Sequence, residues 1–549
     1  MESGKKSFSN RSPTGNIYVD GILWGGHNWL VNSNRVITYS FWGNSVRYRR
    51  NWKSHEISAM EQALRTWSNV ANIKFVKTRN NNPNATLKFH LIDNSFEFPI
   101  LGMFYPPGTK NEGNGYFNFQ GYGWNQAGLK QGGYGFTTLL HELGHGLGLA
   151  HPHDKGGGSF IYPRVTYEYS TGNFGLNQGV WTTMSYNDGL VSNNLPLASN
   201  YGYQGTPMAF DIAAVQYLYG ANKNYRIGNN TYTLPSKNRS GSFYSAIWDT
   251  GGIDTITAAG INRAVNIDLR QAPLKGKNAG GYISSVFGIN GGYTIANRVT
   301  IEKAIGGFMN DRLIGNIANN VLFGGNGNDF LNGGGGKDRL LGGRGRDILK
   351  GGLDNDIING GDDNDIMNGE AGNDTFIVNS RFDRVLESVR GGIDRVISSA
   401  RIYTISANIE NLTLSARAII GSGNSKNNRI NGNRYSNKLI GQAGDDTLNG
   451  GAGNDRLVGG AGADVLVGGT GADRFVFNSI SEKIDIISDF NRGQRDKISI
   501  FHKSFGATST NQFNFNAANG ALLFRGQQIA TLENINESGF NVSTDIVLL

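Results

Sequence analysis

The sequence predicts an α/β (α+β) domain followed by an all-β domain wound as a parallel roll. Two patterns carry this reading. The apolar run Phe136 to Leu140 leads into His141-Glu142-Leu143-Gly144-His145, whose histidines have helical spacing. From about residue 306 the chain takes on a glycine-rich, nine-residue period. Length agrees, because 549 residues are too many for one core and two or more domains are expected.

Met1 to Asn16 is polar and lacks the apolar segment of a secretory signal. No run approaches the length of a membrane-spanning helix. Val36 to Phe41 alternates like a strand, and Ser54 to Val70 places Ile57, Met60, Leu64 and Trp67 at helical spacing. Ile73 to Val76 and Thr86 to Leu91 read as strands around a polar turn. Gly115 to Phe119 reads as a further strand, which at the sheet edge would offer a peptide a pairing partner. Thr206-Pro207 opens a helix that runs through Asp211 to Tyr219 and stops at Gly220.

His141 and His145 are four residues apart, so on a helix both imidazoles leave the same face. Gly148 can take the left-handed conformation that ends a helix, and the turn returns His151 to the same point. Three neutral imidazoles with an open position are the donor set of a catalytic zinc. Glu142, one step round the helix, reaches a water there without being a ligand. A lone His-Glu-x-x-His arises by chance; the added glycine and third histidine at fixed offsets rarely do. The extended motif also predicts a methionine turn downstream, and Thr182-Thr183-Met184-Ser185-Tyr186 fits it. Met184 would floor the histidines and Tyr186 would bring a phenol near the metal. The site reads as that of a zinc peptidase, with Glu142 as general base.

Counting in nines from Gly306 gives eight copies through Ile377. Their sixth positions are Asp311, Asn320, Asp329, Asp338, Asp347, Asp356, Asp365 and Asp374, and every eighth position is apolar, from Leu313 to Phe376. A second array from Gly423 to Val476 carries Asn428 and Asn437, then Asp446, Asp455, Asp464 and Asp473. The glycine-rich half of each copy makes a turn whose carboxylate and carbonyls face the next turn. Two stacked turns supply the six to eight oxygens that calcium takes. The other half is a short strand with one inward apolar side chain. A flexible glycine-rich linker is the competing reading, and the strict phase of aspartate and apolar residue argues against it. A dinucleotide fingerprint is excluded because no helix follows the glycines. Asp354 and Asp363 replace the fourth-position glycine that Gly327, Gly336, Gly345 and Gly372 supply, and aspartate tolerates the left-handed conformation.

The chain has 80 glycines and no cysteine, so disulfides, thiolate zinc sites and thiol-mediated latency are excluded. The formal charge of +8 comes from scattered lysines and arginines without a nucleic-acid motif, and reads as a soluble basic surface.

Together, the zinc motif with Pro152 after its third histidine, the Met184 to Tyr186 turn and the nine-residue arrays resemble the serralysin-type metalloproteases, metzincins with a calcium-binding β-roll of RTX repeats. The resemblance extends through Phe210 to Asn222, Ile247 to Thr255 and Thr300 to Gly307. It implies a secreted bacterial endopeptidase acting on protein and peptide substrates, a monomer with no nucleic acid and no stable membrane insertion. Zinc would sit on His141, His145 and His151, with Tyr186 a resting ligand that swings away to stabilise the tetrahedral intermediate. Several structural calcium ions would sit on the repeat aspartates. It also implies export by type I secretion machinery reading a C-terminal signal, and Asp545-Ile546-Val547-Leu548-Leu549 has the expected acidic-then-apolar form. An ordinary terminal strand is the alternative there. The basic charge departs from the family, and the region before Asn16 is short for an inhibitory prodomain.

The expected organisation is a polar segment over 1–15, the catalytic domain over 16–222, a β-rich junction over 223–305, the first array over 306–377, an inter-array insert over 378–422, the second array over 423–476, and a C-terminal cap and signal over 477–549. The alternative function is a calcium-dependent surface or adhesion protein with an inactive protease-like domain. The intact ligand set and Glu142 argue against it.

Overall fold

The computed structural model describes residues 8–31, 33–43, 50–95, 100–190, 195, 197–535 and 539–549. Residues 1–7 of the expected N-terminal segment lie outside them. The chain forms two compact units, Met1–Gly306 and Gly307–Leu549. The first is an α/β domain with β-strands after it, and the second is a β-roll.

In the first unit a five-stranded sheet runs in the order Lys74–Lys77, Val36–Trp42, Leu87–Ile92, Asn114–Asn118, Gly102–Phe104. The first four strands are parallel and the last pairs antiparallel with Asn114–Asn118. The strand expected at Gly115 to Phe119 therefore is not the edge. A short strand at Gly102–Phe104, too brief to show a period of its own, covers it and becomes the edge. Inward residues Phe41, Phe89 and Phe117 are at most 2% exposed and meet edge to face at 5.5–6.1 Å between ring centres.

Two helices back this sheet, Ser54–Val70 and Tyr134–Gly146. Trp67 from the first is fully buried and reaches the second at Gly144, where a side chain would collide with Met184 Sδ at 2.6 Å. A third helix, Ala209–Tyr219, starts later than Pro207, because Asp211 accepts the Met208 N–H and caps the helix there. Beyond it, the short strands Thr231–Thr233, Thr255–Thr257 and Lys303–Ile305 pair in parallel.

The second unit is wound so that each strand pairs with the one eighteen residues on: Val321 with Arg339, then Arg339 with Ile357. One coil is thus two nonapeptides, laid alternately on two sheets. The eighth-position side chains Leu322, Leu331, Leu340, Leu349, Ile358, Met367 and Phe376 are fully buried between the sheets. Asp354 and Asp363 have φ of +71° and +78°, the left-handed turn in which aspartate stands in for glycine.

The stretch expected as an insert, 378–422, interrupts only one side of the coil. On that side the sheet closes at Arg384–Leu386 and a new one opens at Ile402–Thr404. On the other side strands continue without a break from Thr375–Val378 through Arg395–Ser398 and Asn411–Leu414 to Arg429–Asn431. Val385, Val396, Tyr403 and Leu412 keep the core filled, so the segment coils although its spacing departs from nine. At the C-terminus Ile546–Leu548 pairs in parallel with residues of Lys497–Ile500, and buried Asp545 meets Lys497 at 3.2 Å and Arg492 at 3.4 Å.

Candidate active site

The helix Tyr134–Gly146 buries Phe136, Leu139, Leu140 and Leu143 on one side and presents His141 and His145 on another. Its last carbonyls are taken up by neighbours: Trp29 Nε1 donates to Gly146 O at 2.7 Å and the Tyr219 hydroxyl to Leu147 O at 2.8 Å. Gly148 then has φ +99°, and a Cβ there would lie 2.2 Å from His27 O, so only glycine allows this turn. The chain folds back and delivers His151.

The three Nε2 atoms converge to 3.1 Å (His141 to His151), 3.2 Å (His141 to His145) and 2.9 Å (His145 to His151). Each ring is held by its other nitrogen. His141 Nδ1 lies 2.8 Å from Thr183 O, His145 Nδ1 lies 2.9 Å from Leu149 O, and His151 Nδ1 lies 2.7 Å from Asp154 Oδ2. These acceptors place the protons on Nδ1 and leave three Nε2 lone pairs facing one another. Burial reinforces the neutral form, pushing His141 and His145 down to about 3 and His151 to about 4. Three lone pairs aimed at one point repel unless a cation lies between them, so the donor set fits a zinc ion.

Glu142 is 6% exposed, and its Oε2 has no hydrogen-bond partner among the described residues. Burial alone raises its carboxyl to about 8, and a nearby cation favours the ionised form. The edge strand passes directly over it: a Cβ on Gly102 would come within 2.6 Å of Glu142 Cγ. Two adjoining grooves open beside Glu142 and His141. One, of about 500 Å³, is lined by Leu101, Gly102, Tyr134, Tyr169 and Asp188 among others. The other, of about 600 Å³, runs along Met103 to Pro106 and past His145 and His151.

The Thr182 to Tyr186 turn closes the site. Met184 is fully buried against the helix at Gly144. Asp211 fixes the turn by accepting from the Thr182 hydroxyl at 2.6 Å and the Thr183 N–H at 2.7 Å. Tyr186 is 41% exposed, its ring centre 4.8 Å from that of His151 and 5.6 Å from that of His141. Burial, with Glu142 and Asp154 nearby, pushes its phenol well above the usual range and keeps it protonated.

Two residues beside the motif escape sequence reasoning. Asp154 is the acceptor that orients His151. His153 stacks on His151 at 4.7 Å with 15° between planes, and its ring centre is 4.6 Å from that of Tyr186. The only signal for either was a charged and an aromatic residue directly after Pro152.

In the roll, the repeat aspartates form ladders. Asp329 Oδ1 accepts the Asp311 N–H at 2.8 Å, Asp347 Oδ1 the Asp329 N–H at 2.7 Å, and Asp365 Oδ1 the Asp347 N–H at 2.9 Å. Asp338, Asp356 and Asp374 repeat this on the other side, and Asp446, Asp455, Asp464 and Asp473 in the second array. In every one of these ten, Oδ2 is buried without a partner among the described residues. Ten buried oxygens aimed into glycine-lined turns fit calcium, which takes carboxylate and carbonyl oxygens. Asp311 differs, since its Oδ2 accepts the Gly307 N–H at 2.5 Å. Asn428 and Asn437 differ too: their Nδ2 groups donate to Ile409 O and Ala418 O at 3.0 Å, satisfying the turn with an amide. Asp383, Asp394, Asp485 and Asp496 extend the ladders from outside the regular period.

Comparison with known proteins agrees with this geometry. The matrixin model matches residues 28–179, the peptidase M10 serralysin C-terminal model residues 210–405, and the RTX calcium-binding nonapeptide repeat model residues 422–457 and 450–479. Over these segments the chain resembles the serralysins. Serralysin C of Dickeya chrysanthemi is 33% identical over 340 residues, covering 57% of this chain and 65% of the relative. Serralysin of Proteus mirabilis is 30% identical over 335 residues, covering 56% and 64%. Metallopeptidase AprA of Pseudomonas marginalis is 33% identical over 338 residues, covering 56% and 65%. The matched part of the chain thus spans slightly less than two thirds of each relative's length. The matrixin match implies a catalytic zinc, for which His141, His145 and His151 are the donor cluster, and the repeat match implies structural calcium.

Proposed function

We propose that the protein is a secreted zinc endopeptidase that cleaves peptide bonds in extracellular proteins, and that calcium binding folds and stabilises its roll. The observation that carries this reading is the convergence of three Nδ1-anchored histidines beside a buried, unpartnered Glu142 Oε2. When bound, zinc supplies a Lewis acid that polarises the scissile carbonyl and acidifies water at the site.

The chain's own residues supply the rest. A substrate peptide pairs with the edge strand Gly102–Phe104, which has no outer neighbour among the described strands and lines both grooves. That pairing lays an extended backbone across Glu142. Glu142 takes a proton from the attacking water at Oε2 and returns it to the leaving amine. Tyr186, kept protonated by its surroundings, donates its phenol hydrogen to the oxyanion that develops on the scissile carbonyl. Asp154, Thr183 O and Leu149 O hold the imidazoles in the tautomer with Nε2 free.

The direct test is digestion of casein by the full-length chain. The reading expects activity that a zinc-selective chelator abolishes and added zinc restores, with calcium held constant. A fully loaded protein that leaves casein and a panel of unfolded proteins intact would contradict it.

A further inference from the structure

The inter-array stretch brings three carboxylates together where the regular period ends. Asp374, Glu387 and Asp394 each offer an oxygen, and these lie within 4.8 Å of one another, the one all-carboxylate group of this kind among the described residues. Asp374 is the last sixth-position aspartate of the first array. Glu387 and Asp394 belong to no nonapeptide.

Each carboxylate has one oxygen tied to the backbone and one left over. Asp374 Oδ1 accepts the Asp356 N–H at 2.7 Å, Asp394 Oδ1 the Asp374 N–H at 2.8 Å, and Glu387 Oε2 the Ser388 N–H at 3.2 Å. The remaining Asp374 Oδ2 and Asp394 Oδ2 are buried with no partner among the described residues, and Glu387 Oε1 is buried beside the Gly369 backbone. Asp374 and Asp394 are only 1% and 0% exposed. A Cβ on Gly369 would lie 2.0 Å from Glu387 Oε1 and 2.2 Å from Asp374 Oδ2, so both oxygens press on the same bare Cα. The lysine on this side, Lys426, is paired with Glu410 at 3.0 Å.

We propose that Glu387 and Asp394 join Asp374 to make the last calcium site of the first array, more highly charged than the other repeat turns, and that its ion locks the inter-array segment onto the end of the array. Three buried carboxylate oxygens call for a hard, oxygen-seeking cation. Calcium suits the site better than magnesium, because its six to eight ligands tolerate the irregular geometry of two turns and a loop. More carboxylates at a rigid site mean tighter binding, so this ion is held at free calcium too low to fill the repeat turns. Its location gives it a role: the sheet on one side closes at Leu386, and a clip of Glu387 to the array would hold the coil across that gap. The proposal rests on the calcium reading of the roll and not on the protease reading, whose failure would show in casein digestion alone.

The test uses the full-length chain equilibrated at graded free calcium, with bound calcium counted and hydrogen exchange followed at 366–398 and at 438–467. Glu387→Gln and Asp394→Asn are each expected to remove one bound ion at limiting calcium. Each should also raise the calcium needed to protect 366–398 by about tenfold or more, leaving 438–467 unchanged and both regions protected at saturation. Unchanged ion counts and protection in both variants would overturn the proposal. So would a loss spread equally over both regions, or variants that stay unprotected at saturating calcium, since either makes these side chains parts of the fold rather than ligands.

Discussion

His151 Nδ1 stands 2.7 Å from Asp154 Oδ2, an orienting contact only three residues along the chain. The carboxylate fixes the ring's tautomer and makes Nε2 a better donor. Burial would raise the Asp154 carboxyl, but His151 and the Gly156 N–H together hold it down at about 2. Asp154→Ala is expected to weaken zinc binding by roughly 10–100-fold while leaving the fold intact. Competition with a zinc chelator of known affinity measures this, and an unchanged affinity would remove Asp154 from the account.

Tyr186 lies against two of the three histidines with its phenol protonated. Tyr186→Phe removes only the hydroxyl. It is expected to keep zinc content and melting temperature and to lower kcat by about 10²–10³-fold, as loss of a single oxyanion donor does. Unchanged kcat would make the phenol a bystander.

The roll should respond to pH in opposite ways with and without calcium. Burial raises Asp338 and Asp347 to about 8 and Asp329, Asp356, Asp446 and Asp455 to about 7. Their unfolded values lie near 4, so between pH 4 and 8 the calcium-free folded roll holds more protons than the unfolded chain. Its stability is therefore fullest below pH 4 and falls as pH rises through 7 to 8. Calcium needs the ionised form, so it supports the roll better as pH rises. Circular dichroism of the full chain in chelator should show strand signal lost between pH 5 and 8 and recovered by calcium at pH 8. A calcium-free roll equally folded at pH 5 and pH 8 would contradict this.

Sequence periodicity and spacing carried much of the architecture, because both report local geometry. Helical spacing of Ile57, Met60, Leu64 and Trp67 marks the helix Ser54–Val70, and the nine-residue phase of Leu322 to Phe376 marks the buried row of the roll. The His141, His145 and His151 spacing foretells a common point because a helix turn and one left-handed glycine fix it. What stayed hidden depends on long-range pairing. Gly102–Phe104 is a strand only because Asn114–Asn118 lies beside it. Arg395–Ser398 and Asn411–Leu414 coil with neighbours twenty and sixteen residues away, a spacing that masks the repeat. The same irregularity concealed Glu387 and Asp394, whose partners are set by the coil and not by a motif.

The most direct measurement is zinc content and peptide-bond hydrolysis side by side in the full-length Glu142→Gln variant. This change preserves the shape of a buried side chain that touches none of the three Nδ1 anchors and removes only its ability to take up a proton. The account predicts one bound zinc, as in the parent chain, with turnover reduced by about 10²–10⁴-fold. A variant that holds its zinc and hydrolyses peptides at close to the parent rate would contradict it.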